Sequence, residues 1–460
     1  MFSVFAKRFP TMSEILHLLF PMILTMTLEL SISVVDTVML GHYDPLHLAA
    51  VGLASSLWGP VACFMIGVTF GLTPLVTRHL HGRRRSQVNI YMSQALGLSL
   101  ILGVIGAVMS ITLLPYAARL MATEVETQRV ASEYLYIFSP TFMALTLMTS
   151  YKNVFEAAGK PRVPLLVATL SLILNVIFNY VFIYGAFGFP ELGAAGAAIA
   201  SVAAVYLSLL VFIFYDLRIN QDTLFSKIHW RYVRRFGILF SIGMPAGFAF
   251  SFEIGLFSSL TWLISSFGDL ALGAGQVVMS YSTILFTPLM AMSAVTAIIV
   301  AKAMATKGVE EVRRRVRMIL GLGVGYVTIC FVLTQTFRVE IPLLFSNSAE
   351  VAALASAILV ITSIYQFPDM VQTVFTGALR GFRDTRTAMV AMGASLFGLS
   401  IPLGYWLSHV SPWADTLTIR GFYIGLGCGL LLLASVLFWR YRRTLVRFRN
   451  RRLPHPEEVA

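Results

Sequence analysis

The stretch LELSISVVDTVMLGH, from Leu28 to His42, sits in an apolar run long enough to cross a lipid bilayer, yet it carries Glu29 and Asp36. A charged side chain near the bilayer centre costs about 2.5–3.5 kcal/mol on insertion scales, so an acid kept there faces protein or water. The rest of the chain decides whether the run is in a membrane. Of 460 residues, 57% are hydrophobic and 12% charged, with a mean hydropathy of +0.79. A soluble domain carries about 25% charged residues. Runs of about 20 apolar residues, enough to span a hydrocarbon core, recur along the whole length. Twelve spans are read, at approximately 14–40, 48–76, 89–116, 130–157, 163–187, 193–216, 233–266, 271–303, 314–337, 350–378, 387–409 and 420–441. The fold class is therefore all-α and polytopic; a β-barrel would show alternating segments of about 10 residues. The first run lacks a small-residue cleavage pattern and is read as a retained helix. Cys63, Cys330 and Cys428 fall inside spans without metal or redox spacing and read as small packing residues.

Net charge is +12, and its distribution follows topology. The N-terminus, the even-to-odd connections and the C-terminus hold 30 of the 34 Lys and Arg; the alternate connections hold only Arg119, Arg129, Arg338 and Arg420. This bias places both termini in the cytoplasm. The basic loops, such as RHLHGRRR (78–85) and WRYRRTLVRFRNRR (439–452), are then neighbours of anionic lipid heads rather than of nucleic acid.

The chain also repeats itself. FPMILTMTLEL (20–30), followed by LAAVGLA (48–54), is answered by GMPAGFAFSFEIGLF (243–257), followed by LGAGQVV (272–278). Pro21 and Pro245 differ by 224 positions, as do Leu48 and Leu272. VFEAAGKPR (154–162) is matched by VFTGALRGFRDTR (374–386). The expectation is a six-helix N-terminal lobe (1–217), a cytoplasmic linker (218–232), a six-helix C-terminal lobe (233–442) and a basic cytoplasmic tail (443–460). Both halves start on the same side, which makes them parallel repeats, an arrangement in which transporters bind substrate near the midplane.

Four acids lie well inside spans: Glu29, Asp36, Glu253 and Asp369, with no Lys or Arg read at comparable depth. Glu29 and Asp36 share one helix face with a rise of roughly 10 Å. Two like charges at that distance repel by about 1.6 kcal/mol at an effective dielectric near 20, which favours a proton on one of them. They are candidates for a proton or substrate site. Asp369 follows Pro368, which removes a backbone donor and is expected to open the helix locally, freeing carbonyls beside a carboxylate. Oxygen ligands of this kind suit a small hard cation such as Na⁺, so Glu253 and Asp369 are candidate Na⁺ ligands, with Tyr365 and Gln276 as auxiliaries. The 20 Met and 34 Phe supply soft, adaptable surface for apolar cations.

At these residues the sequence resembles the multidrug and toxic compound extrusion (MATE) family. VVDTVMLGH (34–42) is similar to that family's first-helix motif, SSLWGPVACFMIGVTFGLTPLVTRHLHG to its second helix, and YQFPDMVQTVFTGALRGFRDTR (365–386) to its tenth helix and following loop. Nearly the whole chain is covered. The NorM-type branch pairs an acid in helix seven with one in helix ten, where Glu253 and Asp369 stand, and Asp36 falls on the first-helix aspartate. Tyr365 and Gln276 match polar positions near the second-lobe cation site. The resemblance implies two six-helix bundles related by pseudo-two-fold symmetry in a V-shaped fold, and drug antiport driven by Na⁺ or H⁺. The pattern departs at Glu29, where that branch carries Gln, and after Gly273, where Gly275-Gln276 replaces a His-Gln pair. The extra carboxylate favours a proton-coupled or mixed mechanism.

The expected function is thus a cation-coupled multidrug antiporter, multi-pass in the bacterial inner membrane, monomeric, exporting organic cations and amphipathic drugs by alternating access. Its partners are small-molecule drugs and membrane lipids, and it needs no cofactor beyond the coupling ion. A flippase for a lipid-linked saccharide is the alternative within transport, and it would set basic groups in its cavity to meet phosphates. An intramembrane enzyme is the rival from another class. Neither an HExxH nor a GxSxG motif is present, nor a nucleotide-binding loop that would point to ATP as the energy source.

Overall fold

The computed structural model describes residues 10–82, 86–121, 124–218, 232, 236–346 and 348–450. Most of the 218–232 linker and the end of the tail lie outside them. Every regular element among the described residues is helical. In chain order these are α1 (Pro10–Tyr43), α2 (Pro45–Thr69), α3 (Leu72–His81), α4 (Ser86–Met121), α5 (Val125–Phe138), α6 (Thr141–Ala157), α7 (Arg162–Tyr184) and α8 (Ala194–Arg218). They continue with α9 (Gly237–Ser265), α10 (Asp269–Thr306), α11 (Val309–Thr336), α12 (Ala349–Gly381), α13 (Thr385–Val410) and α14 (Arg420–Asn450). Short helical turns at Glu340–Leu343 and Ala414–Leu417 fill two connections.

Eleven described segments are long and apolar enough to cross a membrane. The remaining expected span, the fourth, is divided into α5 and α6 around Ser139–Pro140. Pro140 has no N–H to continue the ladder, and the bonds across the break tighten to Ser139 N–H to Tyr136 O and Met143 N–H to Pro140 O. The Tyr206 hydroxyl donates to the Pro140 carbonyl at 3.1 Å, holding the break against α8. Proline alone does not divide a span here: Pro21, Pro60, Pro115, Pro245, Pro288 and Pro368 all lie inside continuous helices.

The chain forms two compact units. Residues 16–251 make one; residues 252–460, with the first residues of the chain, make the other. The division therefore falls inside α9. Its first half belongs to the N-terminal unit because Gly243 and Gly247 let its backbone lie directly on α2: a Cβ at Gly247 would stand 2.7 Å from Val68 Cγ2 and 2.8 Å from the Phe64 carbonyl. That unit is filled by Met65, Leu72, Leu75, Phe142, Phe155 and Phe212, all buried. Phe155 and Tyr151 stack on Phe212 at centroid distances of 5.8 and 6.0 Å.

Small residues space the helices of the C-terminal unit. Gly377 and Gly381, one GxxxG step on α12, meet the Ser293 carbonyl and Val300 of α10. Gly421, Gly425 and Gly429 continue the same spacing along α14 against α13, where a Cβ at Gly425 would lie 2.7 Å from the Gly404 Cα. α13 carries π turns at Gly393–Ser400 and Trp406–Val410. On α4 and α11, large side chains such as Leu113, Val108, Ile329 and Val332 are about half exposed, as lipid-facing surfaces require.

Candidate functional site

In the C-terminal unit, α9 and α12 bring Glu253 and Asp369 onto one donor. Gln372, one turn beyond Asp369, places its Nε2 2.9 Å from Asp369 Oδ1 and 3.4 Å from Glu253 Oε1. The same nitrogen lies 2.9 Å from Thr373 Oγ1, and Gln372 Oε1 accepts from Thr376 at 3.4 Å. Two carboxylates that repel one another are thus held by a single amide, which presents its positive end where a small cation would gain most. The expected opening at Pro368 does not take the form of a broken helix: α12 is continuous from Ala349 to Gly381. What Pro368 does is withhold an N–H from the carbonyl of Ile364, one turn earlier.

Tyr365, one turn before Asp369, is buried at 6% exposure. With Asp369 it borders an open cavity whose walls include Phe257, Met279, Phe286 and Gln366. Gln276 stands apart from that cavity. It lines a small adjoining one, which shares Tyr365, Met279 and Ser282. The structure therefore unites Glu253, Asp369 and Tyr365 with the unforeseen Gln372 and sets Gln276 one cavity away.

In the N-terminal unit, Asp36 of α1 meets α7 and α8. Asn179 Nδ2 donates to Asp36 Oδ1 at 2.6 Å, and Ser201 Oγ lies 3.4 Å from Oδ2. Asn179 also bonds Asn175 Oδ1 at 3.2 Å, while its own Oδ1, fully buried, has no hydrogen-bond partner. A buried oxygen without a donor thus belongs to the side chain that holds the carboxylate. The Tyr184 hydroxyl, donating to the Met39 carbonyl at 2.7 Å, fastens α7 to α1 just beyond.

Glu29 has different company, and here one sequence expectation is corrected. Its two oxygens accept from Lys152 Nζ at 2.8 and 2.7 Å. The acids are thus not without a Lys at comparable depth. Lys152 lies five residues before the end of the expected fourth span, and its long stem carries the ammonium to α1.

Chemically, the C-terminal cluster offers carboxylates, an amide and a phenol beside an aromatic and thioether wall. That set suits a small hard cation or a proton at the acids and a flat apolar cation against the rings. Among the described residues, no group of three or more His, Cys, Asp or Glu is placed to hold a metal ion.

Comparison with known proteins agrees with the helical fold. The probable multidrug resistance protein NorM of Bacillus anthracis is 29% identical over 93% of this chain and 94% of its own length. The multidrug resistance protein NorM of Photobacterium profundum is 27% identical over 93% and 94%. Among solved structures, a MATE protein in a bent conformation matches with a TM-score of 0.85 at 19% identity, covering 96% of both chains. The sequence model of the MatE family matches residues 21–181 and 245–406, so each half carries one copy, and the copies begin 224 positions apart, the offset on which the repeat was read. With about seventy percent of its length in the two matches, the chain belongs to the MatE family of membrane transporters.

Proposed function

We propose that this chain is a multidrug exporter of the bacterial inner membrane that exchanges organic cations and amphipathic drugs for Na⁺ or H⁺ by alternating access, as a monomer with both termini in the cytoplasm. The observation that carries the reading is the Glu253–Gln372–Asp369 cluster beside a cavity walled by Phe257, Met279, Phe286 and Tyr365. The named activity of the NorM relatives in multidrug resistance supports it.

The acids give the coupling. A proton or Na⁺ at Glu253 and Asp369 satisfies the charge that a cationic drug would otherwise satisfy, so each ligand weakens the other by the same factor. The coupling cation arrives from outside, displaces the drug, and is released inside, where the next drug takes its place. Each positive charge moved inward across 100 mV supplies about 2.3 kcal/mol. Asp36, held by Asn179 and Ser201, is the corresponding acid of the N-terminal unit.

The test is ethidium accumulation in bacteria that lack their own exporters. Cells making the wild-type chain should stay low in dye. Glu253→Gln and Asp369→Asn should each return accumulation to the level of cells without the protein, at equal membrane abundance. Full clearance by either variant would remove that residue from the coupling site.

A further inference from the structure

The N-terminal unit holds a second charged cluster, in a unit that does not contain Glu253 and Asp369. Lys152, on α6, gives its ammonium to both oxygens of Glu29. The two side chains differ in exposure: Lys152 is 14% exposed and Glu29 37%. One turn along α6 from Lys152 stands Glu156, 3% exposed, and its Oε1 has no hydrogen-bond partner. A buried carboxylate oxygen without a donor is costly and uncommon. Side chains four residues apart on a helix are neighbours, and a lysine carries three donors on a flexible four-carbon stem. The ammonium thus has two acceptors within reach, one open and occupied, the other buried and unsatisfied. The cluster also has two acids and one base, so it takes up one further positive charge without excess.

We propose that Lys152 is a tethered cation that trades places with cargo. When an organic monocation settles on Glu29, the ammonium swings to Glu156 and completes its hydrogen bonding. When it swings back to Glu29, it displaces the cargo. No bond is made or broken; the ammonium moves between two carboxylates, and Glu29 always carries one cation or the other. The proposal rests on the reading of the chain as an organic-cation exporter and gives it a cargo site at Glu29.

The experiment measures binding of tetraphenylphosphonium to the purified full-length protein in detergent. Glu156→Gln removes the charge that receives the ammonium, pins Lys152 on Glu29, and should weaken binding about tenfold, the scale of one hydrogen bond to a charged group. Adding Lys152→Met to that variant removes the competitor and should restore binding to wild-type strength or better. A lysine that merely neutralised Glu29 would give no such reversal. Lys152→Arg serves if the neutral variants do not fold: its planar fork holds Glu29 bidentately and resists displacement, so binding should weaken. Wild-type affinity in Glu156→Gln or in Lys152→Arg, failure of Lys152→Met to reverse the loss, or indifference of binding to Glu29→Gln would each overturn the exchange. Absence of binding by the wild-type protein would instead overturn the exporter reading, and the exchange with it.

Discussion

Gln372 makes one site of two carboxylates on different helices, since its Nε2 reaches both Asp369 and Glu253. A hydrogen bond to a charged group contributes about 1.5–3 kcal/mol. The amide's positive end competes with the coupling cation for these oxygens, so Gln372→Leu should lower the coupling-cation concentration for half-maximal efflux by about tenfold or more, while the acids themselves remain. The measurement is initial efflux rate against Na⁺ concentration and against pH; an unchanged curve in both would make Gln372 a packing residue. The four acids were legible in the sequence because a carboxylate in an apolar span is costly enough to stand out. Gln372 and Asn179 were not, because a neutral amide barely disturbs hydropathy, although Asn175 and Asn179 share one helix face. Lys152 was hidden for another reason. Near the end of a span it counts with the cytoplasmic basic residues, and only the reach of its side chain sets it at Glu29.

At the scale of elements, close approach of backbones decides which helices pair. A Cβ at Gly377 would overlap the Ser293 carbonyl, and a backbone atom cannot rotate away as a side chain can. Gly377→Ala should cost about 1–3 kcal/mol through forced separation of α12 from α10, read as a lower melting temperature in detergent. Gly321→Ala on α11 is the control, because nothing lies within 4 Å of its Cβ position. It should be neutral or slightly stabilising through helix propensity. Equal melting of both variants would show that the α10–α12 contact does not depend on the missing side chain. The spans could be read from apolar length, and the repeat from its offset. The break at Ser139–Pro140 could not, since six other prolines sit inside helices that stay whole. Which proline breaks a helix depends on what accepts and donates around it, here Tyr206.

For the whole molecule, the 30-to-4 division of basic residues is the support for the orientation proposed here. Cysteines introduced at His42 or within FGFPELG (187–193) should react with an impermeant maleimide added to intact spheroplasts, and cysteines at Arg84 or Arg452 only after lysis. Labelling of position 84 from outside would overturn the orientation. Direction matters because, in the proposed exchange, the coupling cation meets Glu253 and Asp369 from the side of higher potential. The most direct test of cation-coupled export is tetraphenylphosphonium efflux from proteoliposomes under an imposed Na⁺ gradient and, separately, an imposed pH gradient, for the wild type and for Asp369→Asn. At least one gradient should drive efflux by the wild type, and neither should drive it by Asp369→Asn. Efflux by Asp369→Asn at the wild-type rate, or wild-type protein indifferent to both gradients, would contradict coupling through this pair.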